Sequence, residues 1–234
     1  MSLRINEIFY SIQGESLYAG LPCVFIRLTG CNLRCAYCDT RYAYHEGMDM
    51  TIPEILGQVE SHPAAALVEI TGGEPLFQQE TPDLVKQLLD QGRTVLMETN
   101  GSLDISLTDS RCIRIMDIKC PSSLMDAHND PDNLGRIRPD DQIKFIIGTQ
   151  ADYVYALNTV KQIPPDFPRS SVLFSPAFGS LSPGLLATWI LQDGLGVRLH
   201  LQLHKLIWPN YPRKGRGSLE RRPGFNHGDR HCPK

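Results

Sequence analysis

Residues 25–38 read Phe-Ile-Arg-Leu-Thr-Gly-Cys-Asn-Leu-Arg-Cys-Ala-Tyr-Cys. The first half is an apolar run rich in residues that favour strands; it contains Arg27 and ends at Gly30. The second half places cysteines at positions 31, 35 and 38. This stretch predicts a buried strand whose carboxyl end runs directly into a loop that carries three thiols.

Similar apolar runs recur along the chain and alternate with helical patterns. The runs are short and bounded by turn residues, so they predict buried strands. Strand followed by helix, repeated about six times, implies parallel pairing with right-handed crossovers. We therefore expect an α/β fold, an open or partly closed parallel barrel with its chemistry at the strand carboxyl ends. The predicted strands span 24–28, 67–71, 94–99, 113–118, 143–147, 172–174 and 197–203, and the predicted helices span 51–59, 151–161 and 183–192, with another starting at residue 81.

The composition limits the class of protein. The 234 residues are 41% hydrophobic, which is enough to bury one core. The seven cysteines are odd in number and three are crowded, so they form a poor disulfide framework and favour a reducing, cytoplasmic compartment. We see no signal peptide and no stretch of membrane-spanning length. A net charge of −3 gives no broad attraction for nucleic acid, so a small-molecule substrate is expected.

The charge is uneven along the chain. The residues after Pro212 include seven basic and only two acidic ones. That stretch is polar and has no apolar periodicity, which predicts a flexible terminus. We therefore divide the chain into one domain over residues 1–212 and a basic tail over residues 213–234, whose role the sequence does not reveal.

The cysteine spacing indicates a metal centre. One short loop with thiols at 31, 35 and 38 can wrap three corners of an iron–sulfur cube and leave the fourth iron open, which suits chemistry better than electron transfer. The alternative is a zinc site, completed by His45 or Cys23, with Cys112 and Cys120 as a second pair. We interpret the last two as buried packing residues, because they flank a predicted strand.

Polar residues follow several predicted strands. Thr71-Gly72-Gly73-Glu74-Pro75, Glu98-Thr99-Asn100-Gly101 and Asp117-Ile118-Lys119 all come at strand carboxyl ends, which share one rim. Arg27 lies inside the first strand, where a guanidinium needs a partner. That partner is either a substrate carboxylate or an internal acid such as Glu15.

With Tyr37 before the third cysteine, the loop resembles the C-x₃-C-x-aromatic-C motif of the radical S-adenosylmethionine superfamily. The resemblance implies a partial (β/α)₆-type parallel barrel with a [4Fe–4S] cluster on the three cysteines. It also implies that S-adenosylmethionine chelates the open iron and yields a 5′-deoxyadenosyl radical on one-electron reduction. The residues expected to border this cofactor are Tyr37, Cys38, Asp39, Gly73, Glu74, Asp117, Ile118 and Lys119.

A narrower resemblance, to the 7-carboxy-7-deazaguanine synthase family, covers the chain from Arg4 to about Pro212. It is carried by Asn6-Glu7-Ile8-Phe9, Ile12-Gln13-Gly14-Glu15, the stretch from Phe25 through Cys38-Asp39-Thr40, the Thr71–Pro75 turn, and Leu203-His204-Lys205-Leu206-Ile207-Trp208-Pro209.

This narrower resemblance implies a reaction and its ligands. The reaction is a carbon–nitrogen lyase step of queuosine biosynthesis, in which 6-carboxy-5,6,7,8-tetrahydropterin contracts to 7-carboxy-7-deazaguanine with loss of ammonia. Mg²⁺ would be held by Thr40 together with the substrate. A homodimer and an electron donor such as flavodoxin or ferredoxin are also implied. The expected pterin contacts are Ile12, Gln13, Gly14, Glu15, Arg27 and Thr71.

The chain departs from the family at two points, and two other functions compete. Ser16 stands where the family commonly has a second glycine, and the chain continues past Trp208-Pro209, shortly after which similar family members end.

One competing function is a glycyl-radical enzyme activase, which shares the cysteine spacing. The other is a non-catalytic iron–sulfur or zinc module that binds RNA through the basic tail.

Overall fold

A computed structural model describes residues 2–209, and in it nine strands form one sheet in the order β3-β1-β2-β4-β5-β6-β7-β8-β9. The predicted tail, 213–234, lies outside the described residues. The strands are β1 (Ser2–Ile12), β2 (Pro22–Leu28), β3 (Met48–Thr51), β4 (Leu67–Gly72), β5 (Thr94–Thr99), β6 (Ile113–Ile118), β7 (Gln142–Ile147), β8 (Val172–Pro176) and β9 (Arg198–Leu199).

Strands β2 and β4 to β9 are all parallel and follow one another in chain order. β1 pairs antiparallel with β2 and with β3, and the sheet does not close. The partly closed parallel barrel predicted from the sequence is therefore confirmed. Some details differ: β1 and β3 were not predicted as strands, and within the segment predicted as a strand over 197–203 only the two residues of β9 are in a strand.

The helices are α1 (Ile52–Glu60), α2 (Thr81–Asp90), α3 (Asn133–Arg136), α4 (Gln150–Val160), α5 (Pro183–Gln192) and α6 (Leu203–Ile207). Thr51 and Glu54 form the capping box of α1, in which each side chain accepts from the other's backbone N–H. The strand–helix alternation is incomplete. A 3₁₀ turn over Ile105–Leu107 joins β5 to β6, and short turns with α3 join β6 to β7.

The two faces of the sheet have different roles. The convex face carries the main core, in which Val24, Ile26, Val68 and Ile70 pack under the helices. Alternate residues point to the concave face. Its amino-terminal end is apolar, with Phe25 packed among Cys23, Leu67, Leu96 and Ile115. Its carboxyl end is polar, and there the strands place Arg27, Glu69, Thr71, Glu98, Asp117 and Lys144.

No helix among residues 2–209 is both long enough and apolar enough to cross a membrane.

Candidate active site on the concave face

The three cysteines lie in the loop that joins β2 to β3, at the carboxyl ends of the parallel strands. None of the six described cysteines forms a disulfide, and Cys31, Cys35 and Cys38 are partly exposed. Burial raises the pKa of the Cys31 and Cys35 thiols, so ionising them there needs a nearby positive charge. Bound iron supplies that charge.

The scaffold holds the cysteine loop in place. Leu33 is buried, and the Ala36 N–H donates to the Ser123 carbonyl oxygen at 3.0 Å. The Asn100 amide donates to Asn32 Oδ1 at 3.1 Å and approaches Cys31 Sγ at 3.8 Å. The loop is therefore shaped by protein contacts as well as by any metal.

The zinc alternative needs a fourth ligand beside the three thiols, either His45, which is exposed, or Cys23. No three His, Cys, Asp or Glu side chains within residues 2–209 are grouped as the ligands of one ion would be. In a [4Fe–4S] cluster each thiolate binds a different iron, so the sulfurs stand further apart than zinc ligands do. The zinc alternative loses support, because Cys23, Cys112 and Cys120 are packed among apolar side chains.

The Gly-Gly turn after β4 touches the cysteine loop. The Glu74 N–H donates to the Gly30 carbonyl oxygen at 2.9 Å. A Cβ on Gly73 would lie 1.9 Å from that oxygen and 2.7 Å from Cys31 Cβ. Only glycine fits this contact, so Gly73 fixes the distance between the turn and the first cysteine.

Glu74 itself is fully buried. Its carboxylate accepts from the Leu76 N–H at 3.0 Å, the Thr99 hydroxyl at 2.8 Å and the Asn100 N–H at 2.7 Å. These bonds join the turn to the end of β5. The expectation that Glu74 binds the cofactor stays a prediction, and its side chain is already occupied by protein donors.

The end of β6 carries a buried ion pair. Lys119 Nζ lies 2.8 Å from Asp117 Oδ2, and both side chains are mostly buried. Asp117 Oδ1 and the Tyr37 hydroxyl are buried and have no hydrogen-bond partner within residues 2–209. Unpartnered buried oxygens point to a ligand that completes them. Ile118 is buried, so only its backbone can reach such a ligand.

Four of the six predicted pterin contacts, residues 12–15, lie at the end of β1 and in the first loop, which follows it. The Gln13 amide donates to Glu69, and the Glu15 N–H donates to Gln13 Oε1 at 3.0 Å. Gly14 packs against His204. The Leu203 N–H donates to the Gly14 carbonyl oxygen at 2.8 Å, and a Cβ on Gly14 would lie 2.2 Å from His204 Nδ1. This contact between α6 and the first loop was not predicted from the residues themselves.

Arg27 is paired inside the protein, but with Glu7 rather than Glu15. Arg27 Nε donates to Glu7 Oε1 at 2.8 Å, and the Tyr42 hydroxyl donates to the same oxygen at 3.1 Å. The Phe9 and Tyr42 ring centroids each lie 5.9 Å from the guanidinium carbon. The pair arises because Glu7 and Arg27 are register partners on β1 and β2. The bond to Glu7 uses one of the five N–H donors of the guanidinium.

Asp39 and Thr40 follow the third cysteine. The Thr40 hydroxyl donates to Asp39 Oδ1 at 3.1 Å, and Asp39 Oδ2 lies 3.1 Å from Lys205 Nζ. Thr40 precedes a 3₁₀ turn over Arg41–Tyr44 and forms no side-chain cap to it. Its hydroxyl is therefore not used to cap the turn that follows.

Comparison with known proteins gives the family. The radical SAM superfamily model matches residues 25–161, more than half of the chain. Proteins named 7-carboxy-7-deazaguanine synthase from Koribacter versatilis and Chlorobaculum tepidum are 42% and 46% identical, over 219 and 209 residues. Each match covers 88% of this chain, and 97% and 94% of the relatives. The chain belongs to the 7-carboxy-7-deazaguanine synthase family of the radical SAM superfamily.

Solved structures agree on the fold. QueE from Escherichia coli matches with a TM-score of 0.68 at 22% identity, over 87% of this chain and 95% of that chain. Streptococcus suis SuiB bound to S-adenosylmethionine matches with a TM-score of 0.52 at 11% identity, over 73% of this chain and 48% of that chain. Membership of the radical SAM superfamily implies a [4Fe–4S] cluster and S-adenosylmethionine, and the cysteine loop fits both.

The departure from the synthase family at Ser16 has a local explanation. Ser16 has φ +65°, a conformation that glycine adopts most easily, as expected where the family has glycine. The serine hydroxyl accepts from the Tyr18 N–H at 3.1 Å. This bond offsets part of the strain, and the side chain is buried within the loop.

Proposed function

We propose that the protein is a 7-carboxy-7-deazaguanine synthase. It converts 6-carboxy-5,6,7,8-tetrahydropterin to 7-carboxy-7-deazaguanine with loss of ammonia, a carbon–nitrogen lyase step that leads toward queuosine. The observation that carries this proposal is the identity of 42% and 46% to proteins of that name over almost their whole length. The same matches weigh against a glycyl-radical enzyme activase and against a non-catalytic module.

In this proposal Cys31, Cys35 and Cys38 bind three irons of the cluster. When bound, the cluster and S-adenosylmethionine supply a carbon radical by one-electron cleavage of the sulfonium. The chain orients the cofactor with Tyr37, Asp39, Gly73 and the β6 end, 117–119. The buried, unpartnered Tyr37 hydroxyl and Asp117 Oδ1 support this placement.

The pterin would lie on the concave face, between the first loop and the end of β4. Arg27 binds its carboxylate, because a guanidinium matches a carboxylate in geometry and charge. Glu7 holds the guanidinium in place at 2.8 Å. The remaining pterin contacts are Ile12, Gln13, Gly14, Glu15 and Thr71. The apolar cluster around Phe25 lies below and keeps water out of that end.

Three further parts belong to the proposal. Thr40 contributes its hydroxyl to a Mg²⁺ ion that the substrate also binds, which suits a hard cation that keeps several waters. An external one-electron donor, such as flavodoxin or ferredoxin, reduces the cluster. The protein acts as a homodimer. The cytoplasmic location stays a prediction that rests on the cysteine pattern.

The test is anaerobic reconstitution with iron and sulfide, followed by reductant, S-adenosylmethionine, Mg²⁺ and the tetrahydropterin. We expect 5′-deoxyadenosine and 7-carboxy-7-deazaguanine together by mass spectrometry. Cys35→Ala should abolish both products, and Arg27→Ala should raise the KM for the pterin while uncoupled deoxyadenosine formation persists. Deoxyadenosine without the deazapurine, from a fully loaded wild-type protein, would refute the proposed substrate.

A further inference from the structure

Lys144 is a buried lysine on the concave face of β7, only 3% exposed. Its ammonium contacts carboxylates from three separate elements. Nζ lies 3.0 Å from Glu15 Oε2 in the first loop and 3.9 Å from Asp117 Oδ2 at the end of β6. It also donates a hydrogen bond to Glu98 at the end of β5. Burying a lysine this deeply is costly unless it is paired and hydrogen-bonded.

The ammonium keeps its charge. Burial alone would lower the pKa of Lys144, but the carboxylates of Glu15, Glu98 and Asp117 raise it well above its usual value. The other cations nearby are paired elsewhere: Arg27, which also interacts with Glu98, lies 2.8 Å from Glu7. Lys119 is paired with Asp117, and burial lowers the pKa of His200 to about 4, so that imidazole is neutral. Lys144 is therefore the main cation facing Glu15 and Glu98.

The first contact of Lys144 leads to the first loop. Glu15 is held at both oxygens, by Lys144 and by the Gln202 amide at 2.8 Å. Burial would raise the pKa of the Glu15 carboxyl, but the Lys144 ammonium and the Gln202 hydrogen bond lower it below its usual value. The Glu15 N–H in turn donates to Gln13 at 3.0 Å. Fixing Glu15 thus fixes the loop that carries three proposed pterin contacts.

The second contact leads to the end of β4. Glu98 receives Lys144 on one oxygen, and the Thr71 hydroxyl lies 3.5 Å from the other. Thr71 is another proposed pterin contact. The Lys144 ammonium therefore contacts one carboxylate on each side of the proposed pterin pocket. Glu15 is 129 residues away from Lys144 in the sequence, and Glu98 is 46 residues away.

We propose that Lys144 is a positioning residue of the pterin pocket, which orients Glu15 and Glu98 and through them Gln13 and Thr71. The inference rests on the proposed function, because it names what the pocket holds. Toward the proposed cofactor site Lys144 makes the 3.9 Å contact with Asp117 Oδ2, an oxygen that keeps the closer Lys119 ammonium at 2.8 Å when Lys144 is removed. Its removal should therefore weaken pterin binding much more than S-adenosylmethionine cleavage.

The test compares Lys144→Met, Lys144→Arg, Glu15→Gln and the double variant Lys144→Met/Glu15→Gln. Lys86→Met, an exposed lysine on α2 paired with Asp90, is the control. Pterin KM and kcat are measured on the reconstituted proteins. Pterin affinity is also measured by calorimetry on the cluster-free proteins, which separates binding from cluster loading.

We expect Lys144→Met to raise the KM and weaken calorimetric pterin binding at least tenfold, with uncoupled deoxyadenosine formation per cluster within twofold of wild type. The double variant should lose no more affinity than the weaker-binding single variant, because both changes break the same contact. Lys144→Arg keeps the charge but not the geometry, so a loss of severalfold is expected. Lys86→Met should match wild type.

Removing one partner of a buried pair can prevent folding. If Lys144→Met is insoluble, Lys144→Arg and the double variant decide, since Lys144→Arg keeps the positive charge and the double variant leaves one fewer buried carboxylate unpaired. Wild-type pterin affinity in both of these would overturn the inference, as would an unchanged KM in a folded Lys144→Met protein. Absence of pterin binding and turnover in wild type would instead overturn the proposed function, and the inference with it.

Discussion

Lys205 Nζ lies 3.1 Å from Asp39 Oδ2, so the helix α6 is tied to the residue that follows the third cysteine. The same helix packs His204 against Gly14 in the first loop. The strand β9 is an edge of the open sheet. The segment after it therefore contacts both the cysteine loop, through Asp39, and the first loop, through Gly14.

Changing Lys205 to Met should affect function more than stability. The pair with Asp39 is partly exposed, so its loss should change the free energy of unfolding by about 1 kcal/mol or less. The Phe178 ring, 4.7 Å from Nζ, can still pack against methionine. Without the ion pair to Asp39, α6 should be held less firmly against the first loop. Contact between His204 and Gly14 should then be lost more often, and the pterin KM should rise severalfold. Urea denaturation and steady-state kinetics measure the two effects, and an unchanged KM would show that the tie has no role in the pocket.

Gly73→Ala should impair cluster assembly. The new Cβ would collide with the Gly30 carbonyl oxygen and with Cys31 Cβ, both of which belong to the cysteine loop. We expect a clear drop in iron and sulfide bound per chain after reconstitution. Gly57→Ala is the matched control, because a Cβ there meets nothing within 4 Å in α1 and should stabilise the protein by about 0.5–1 kcal/mol. Full iron content in Gly73→Ala would contradict the contact.

The sequence reveals the fold well where apolar runs are continuous. β2 and β4 to β8 were predicted because both faces of these strands are largely buried. β1 was missed because many of its residues are only half-buried and a bulge between Ile5 and Glu7 interrupts its alternation. Missing β1 also hid Glu7, the register partner of Arg27.

In the candidate site, too, local sequence patterns were recognised and long-range contacts were missed. The cysteine loop is local in sequence and was singled out by its spacing. The Gly-Gly turn is local too, and it was singled out by its place after a predicted strand together with the family resemblance. The contact between Lys144 and Glu15 joins residues 129 positions apart, and no local pattern encodes it. A signal was available all the same: Lys144 stands between Ile143 and Phe145 in a buried strand, as Arg27 stands between Ile26 and Leu28. The reasoning applied to Arg27 would have singled out Lys144 too.

Ser16 offers a test of why serine is tolerated where the family has glycine. Ser16→Ala keeps the strained φ of +65° and loses the hydroxyl that accepts from the Tyr18 N–H, so we expect a destabilisation of about 1 kcal/mol. Ser16→Gly loses the same bond but relieves the strain, so the free energy of unfolding should stay near that of wild type. Denaturant titration of the cluster-free protein distinguishes them. An equal decrease in the free energy of unfolding in both variants would mean that the backbone strain at residue 16 contributes nothing.

Glu69→Gln should make stability less dependent on pH. Glu69 is 4% exposed, and burial together with the nearby Glu98 carboxyl raises its pKa to about 8, from 4.5 in a solvated chain. The folded protein therefore keeps this proton up to about pH 8, whereas the unfolded chain releases it above pH 4.5. The stability that the proton contributes is complete below pH 4.5 and is lost as the pH rises toward 8.

The neutral glutamine at position 69 cannot lose a proton, so the variant should gain stability over wild type as the pH rises from 5 to 8. We expect a relative gain of about 3–4 kcal/mol across this range, measured by urea denaturation of the cluster-free proteins. Glu60→Gln, at the exposed end of α1, should follow the wild-type pH dependence. If the free energies of unfolding of Glu69→Gln and wild type differ by the same amount at pH 5 and at pH 8, then Glu69 is ionised in the folded protein. In that case the hydrogen bond from Gln13 is made to a carboxylate, and Lys144 must balance one more negative charge than we assign to it.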